Sequence, residues 1–117
     1  MLPKYANRLI DQIVDRFNKL FGEPIRSTKK VLAYHLNSNF EAVVEISGPL
    51  SKANIWIPFT EGKQPTPRFA IYYPAGKGRN SNTYPSPGLE KGLPALMLEI
   101  ENEEALEEAI RYIRMVQ

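Results

Sequence analysis

The chain is expected to fold as an α+β protein, a five-stranded, mainly antiparallel sheet with N- and C-terminal helices packed on one face. Three features carry that expectation. Apolar residues recur at a spacing of three to four near both ends, the period changes to two between them, and the alternating runs are joined by segments rich in Asn, Ser, Gly and Pro. The element order is α-β-β-β-β-β-α, with no internal repeat and no linker, so residues 1–117 are expected to form a single domain.

In the first helix, Ala6, Leu9, Ile10, Ile13, Val14, Phe17, Leu20 and Phe21 fall on one side, while Arg8, Asp11, Asp15 and Lys19 fall on the other. Pro3 suits a first turn, and Gly22 followed by Pro24 is a stop. From residue 30 the pattern alternates. Leu32, Tyr34 and Leu36 oppose Val31, Ala33 and His35, and after Asn37-Ser38-Asn39, Phe40, Ala42, Val44 and Ile46 oppose Glu41, Val43 and Glu45. Two alternating runs around a short polar turn predict a hairpin.

Beyond the turn "SGPLSK", a third strand sets Ile55, Ile57 and Phe59 against Asn54 and Trp56. Pro58 cannot donate to a ladder, so that strand is an edge or ends there. The fourth strand is expected to place Phe69, Ile71 and Tyr73 on one face and Arg68, Ala70 and Tyr72 on the other. The fifth alternates Leu96, Leu98 and Ile100 with Ala95, Met97 and Glu99. Asn102 is an N-cap for a last helix with the stripe Leu106, Ala109, Ile110, Ile113 and Val116. Short connections between successive strands favour a meander, with both helices over the face of Phe40, Val44, Ile57, Ile71 and Leu98. This order is similar to that of the frataxin type, in architecture only, since the first helix carries no acidic ridge.

Composition narrows the functions. The chain has 117 residues, 43% of them hydrophobic, and no cysteine. A core can form without staples, and disulfides, thiolate metal sites and thiol nucleophiles are excluded. Lack of cysteine fits a reducing compartment, the N-terminus has no apolar leader segment, and no run approaches the roughly 20 apolar residues of a membrane span. A soluble, cytoplasmic protein with no membrane partner is expected. The net charge of +2 is unevenly spread. Residues 1–36 and 61–93 are basic and residues 94–117 acidic, a distribution compatible with a polyanion-facing side. Glu103, Glu104, Glu107 and Glu108 also simply suit the start of a helix, where acids complement the dipole.

Catalytic patterns are sparse. His35, the only histidine, lies within a strand, and no Gly-x-Ser-x-Gly elbow presents a serine to it. One histidine without cysteine cannot build a structural zinc site. "AGKGRNS" lacks the phosphate-loop spacing, although its turn could form an anion-binding nest with Lys77 and Arg79. Glu45 with Glu61-Gly62-Lys63 has the composition of a metal-dependent nuclease site, but Glu61 and Lys63 lie in a Gly/Pro-rich loop where rigid convergence is not expected. No cofactor or metal is implied.

What remains is a surface. "YYPAGKGRNSNTYPSPGLEKG", residues 72–92, is a long irregular segment between two apolar strands, and such loops tend to be functional. The sheet face expected to lie away from the helices carries Trp56, Arg68, Tyr72 and Met97, and the loop either roofs that face or extends it. If the face is open, a nucleic-acid-binding module follows, with Lys63, Arg68, Lys77 and Arg79 on phosphates and Trp56, Tyr72, Tyr73 or Tyr84 stacking on bases. The alternative is a protein-interaction domain (a subunit, inhibitor or immunity-type partner) using the same aromatic residues.

Overall fold

Asn7 sets where the first helix begins. Its side-chain oxygen accepts the Leu9 N–H at 2.9 Å, and its amide donates to the Lys52 carbonyl at 2.9 Å, so the cap also ties the helix start to the sheet. A computed structural model describes residues 5, 7–48, 51–59, 62 and 65–116. The expectations resting on Pro3, Ala6, Glu61 and Lys63 therefore lie outside the described residues. Helix α1 (Arg8–Phe21) buries Ile10, Ile13 and Phe17, and ends at Gly22, whose φ of +82° suits glycine and whose N–H donates to the Asn18 carbonyl. Helix α2 (Glu103–Val116) starts as expected at Asn102, whose side chain accepts the Ala105 N–H at 2.8 Å.

Between the helices lies one antiparallel sheet of six strands, β1 (Arg26–Ser27), β2 (Val31–His35), β3 (Glu41–Glu45), β4 (Ala53–Pro58), β5 (Ala70–Tyr73) and β6 (Ala95–Ile100). The α+β arrangement with terminal helices is the expected one. The additional strand, β1, is two residues long, too short to carry a period, and exists through its pairing of Arg26 with Ala33 and Ser27 with Leu32.

The spatial order β1-β2-β3-β4-β6-β5 corrects the expected meander, because β6 inserts between β4 and β5. Burial explains the exchange. Five of the six β6 residues are buried, as an interior strand requires, whereas Ile71 and Tyr72 of β5 are 38% and 48% exposed, tolerable only at an edge. Pro58 ends β4 as the sequence indicates, so its missing N–H costs the interior ladder nothing.

The helices share one core with Leu32, Tyr34, Val44, Ile55, Ile57, Leu96, Leu98 and Ile100. Phe17 stands at its centre, edge-on to Phe21 and Tyr34 with ring centroids 5.2 and 5.3 Å away. The Tyr34 hydroxyl donates to the Asn18 side-chain oxygen at 2.8 Å, and burial pushes its pKa up to about 12. On the outer surface the helices are clamped by a two-pronged Arg16–Glu107 pair and by a 2.7 Å bond from Gln12 to Glu103. No helix among the described residues is long and apolar enough to cross a membrane.

Two residues expected in this core leave it. In β5, Ala70 pairs with Leu98 and Tyr72 with Leu96, so these face the helices, while Ile71 and Tyr73 share the opposite face with Met97 and Ala95. The expected faces of β5 are reversed. Phe40 precedes the first residue of β3 and is 43% exposed at the end of the sheet.

Candidate functional site

The segment after β5 is a roof. It leaves β5 and returns to β6 at one edge of the sheet, and its neck is closed by a 3.0 Å bond from the Gly76 N–H to the Gly92 carbonyl. Asn80 caps a short 3₁₀ turn, Ser81–Thr83, accepting the Asn82 N–H at 2.9 Å on its side chain and the Thr83 hydroxyl on its carbonyl. The following turns bond Ser86 N–H to Thr83 and Leu89 N–H to Ser86. Thr83, Ser86 and Leu89 are all fully buried. At the far edge of the sheet, Arg26 holds the roof by donating to the Asn82 carbonyl and the Ser86 hydroxyl.

Leu89 completes a second, smaller core with Val31, Ala33, Val43, Trp56, Ala95 and Met97. Trp56 is 2% exposed, its indole N–H donates to Glu45, and its ring packs on Tyr73 at 4.9 Å. The open-face expectation is thereby corrected. This face is too apolar for water, and the loop covers it. Trp56 has no face on which a base could stack.

The other residues expected at the site divide. Arg79 is built into the roof, donating to the Leu89 and Glu90 carbonyls while its guanidinium lies 5.2 Å over the Tyr84 ring. Burial lowers its pKa from the usual arginine value, with the nearby Tyr84 hydroxyl acting the other way. Tyr84 donates in turn to the Arg79 carbonyl at 3.2 Å. Lys77 is exposed, with its ammonium 5.1 Å over Tyr73. Arg68 and Tyr72 belong to the helix side of β5, away from Lys77 and Tyr84. Lys63 lies outside the described residues. Trp56, Lys77, Arg79 and Tyr84 thus come to the roofed side, one as floor, two as scaffold and one as an exposed cation.

The surface that does stay open is at the end of the roof, and the sequence pattern did not mark it. Phe40, Pro58, Phe59, Pro87, Leu93 and Pro94 line a cleft of about 350 Å³, with Gly88 at its wall. Phe40 and Leu93 are 43% and 45% exposed, and Tyr72 continues the patch through its 4.6 Å ring contact with Phe59. The wall is fixed by bonds from the Glu41 N–H to the Pro87 carbonyl and from the Gly88 N–H to the Glu90 side chain. The one signal in the sequence was position. Phe40 follows a polar turn and Leu93 stands between Gly92 and Pro94, where an apolar side chain has no strand to bury it.

Among the described residues, no group of three or more His, Asp or Glu side chains gathers to hold a metal. His35 ends β2, exposed, across the ladder from Glu41. The class defined by fold and surface is a helix-backed antiparallel sheet whose second face is closed by its own loop, leaving an apolar cleft at the rim. Comparison of the chain with protein-family models, curated proteins and solved structures finds no match.

Proposed function

We propose that the chain is a non-catalytic protein-interaction module. Its partner seats an apolar side chain in the cleft between Phe40, Phe59 and Leu93, and sets acidic side chains against Lys77 and Lys91. The observation that carries this reading is the exposure of Phe40 and Leu93 in one cleft, with the exposed Tyr72 packed on Phe59 of its lining. Contiguous apolar surface of this kind, rich in aromatic residues, is what interfaces use as anchors. Three prolines and the bonded Gly88 stiffen the cleft, so little ordering entropy opposes docking. Lys77 and Lys91 are exposed on either side of the Gly76–Gly92 neck, beside Leu93, and complement an acidic partner. A chain without cysteine suits the cytoplasm.

Nucleic acid is the second reading, favoured by those same two lysines. Crosslinking from a photoreactive residue at position 93, with position 29 as control, identifies a partner, and titration of the pure pair tests it. An acidic partner whose affinity falls about tenfold or more on Leu93→Ser, with modest salt dependence, supports the proposal. Binding of single-stranded DNA or RNA that weakens linearly in log affinity with log salt, and that survives Leu93→Ser, overturns it in favour of nucleic acid.

A further inference from the structure

A second groove, of about 260 Å³, runs between the turn entering β5 and the last turns of α2. Arg68 and Arg111 line it from the two sides, with Glu108, Tyr112 and Met115. Neither arginine makes a hydrogen bond or close ion pair among the described residues, although Arg111 adds to the pull of Arg16 that lowers the Glu107 pKa. Tyr112 is only 3% exposed, its ring belonging to the main core. Its hydroxyl nevertheless has no hydrogen-bond partner and is not sealed from solvent, and the groove is the open space that Tyr112 lines. A buried phenol ordinarily finds a partner, and here that partner enters from the groove, as water or as a ligand acceptor.

We propose that this groove binds a small oxyanion, a phosphate or carboxylate group, held by Arg68, Arg111 and the Tyr112 hydroxyl. Each of the three can donate, and the two guanidinium groups can only donate. Guanidinium groups stay protonated and present planar pairs of N–H that match two oxygens of an anion. Burial raises the Tyr112 pKa, so the phenol remains a neutral donor. At about 260 Å³ the groove has room for one phosphate or carboxylate group. Glu108 lines the same groove and forms no ion pair with either arginine. Its carboxylate opposes an anion, which gives the proposal a sign that can be tested.

The experiment is a two-dimensional ¹H–¹⁵N titration of the whole chain, following arginine Nε–H signals, with inorganic phosphate, with succinate, and with chloride at matched ionic strength. Saturable shifts at Arg68 and Arg111 with phosphate or succinate, absent with chloride, are expected. Preference for phosphate identifies a phosphorylated ligand and preference for succinate a carboxylate one. Arg68→Gln and Arg111→Gln each weaken binding about tenfold or more, since hydrogen bonds to charged groups are the strong ones. Glu108→Gln tightens it several-fold. Tyr112→Phe, which removes no internal hydrogen bond, keeps the fold and weakens binding a few-fold. Shifts that never saturate, that chloride reproduces, or that persist unchanged in Arg68→Gln overturn the site.

Discussion

Arg26, in the strand at one edge of the sheet, donates to the Ser86 hydroxyl at 2.9 Å, in a loop that leaves β5 at the opposite edge and returns to β6 beside it. Six strands at about 4.8 Å spacing put those edges roughly 24 Å apart. The loop is long because it must cross the whole face. Removing Arg26 unties the far end and leaves the neck and helices intact. Arg26→Ala is expected to cost about 1–3 kcal/mol, the loss of hydrogen bonds made by a charged donor. Faster hydrogen exchange at the Thr83 and Ser86 amides, with α1 amides unchanged, is the measurement. Equal acceleration throughout the chain would refute the anchor.

Gly88 and Gly76 separate steric from conformational requirements. Both have positive φ, +88° and +83°. A Cβ at Gly88 would stand 2.6 Å from Pro58 Cγ and 2.8 Å from Phe40 Cδ1, whereas nothing lies within 4 Å at Gly76. Gly76→Ala is expected to cost about 1–2 kcal/mol, the left-handed penalty alone. Gly88→Ala adds overpacking, for about 2–5 kcal/mol in all. Urea unfolding decides between them, and equal costs would mean that the cleft wall yields.

Phe17 and Ile71 form a second contrast. Phe17 is wholly buried and Ile71 is 38% exposed. Phe17→Ala is expected to lose about 3–5 kcal/mol through burial and cavity. Ile71→Ala should lose about 1 kcal/mol or less, since little apolar surface is withdrawn from water there. A large loss at Ile71 in thermal or denaturant unfolding would restore it to the core.

Tyr34 sets an alkaline limit. Its folded pKa is about 12, above the ordinary 10.0, because burial disfavours the phenolate. A raised value contributes stability that is fully present below pH 10 and is lost as pH rises toward 12. Unfolding followed by circular dichroism should therefore steepen above pH 10, and Tyr34→Phe should flatten that limb while losing the 2.8 Å bond to Asn18. An unchanged alkaline limb in Tyr34→Phe would assign the loss elsewhere.

The sequence by itself determined most of the local elements. The stripe through Ile10, Ile13 and Phe17, the cap Asn102, and the ending of β4 at Pro58 all follow from period, capping and the missing N–H, which are properties of neighbouring residues. For the face of Val43 and Trp56 it left open whether the loop of residues 72–92 extends that face or roofs it. Only the tertiary structure decided that the loop roofs it, since Leu89 meets that cluster through contacts far apart in the chain. It decided the place of β6, because which apolar strand lies inside depends on every neighbour at once. It also decided the faces of β5, four residues with large side chains on both sides. Alternation cannot choose between the two faces there, and pairing with Leu96 and Leu98 does.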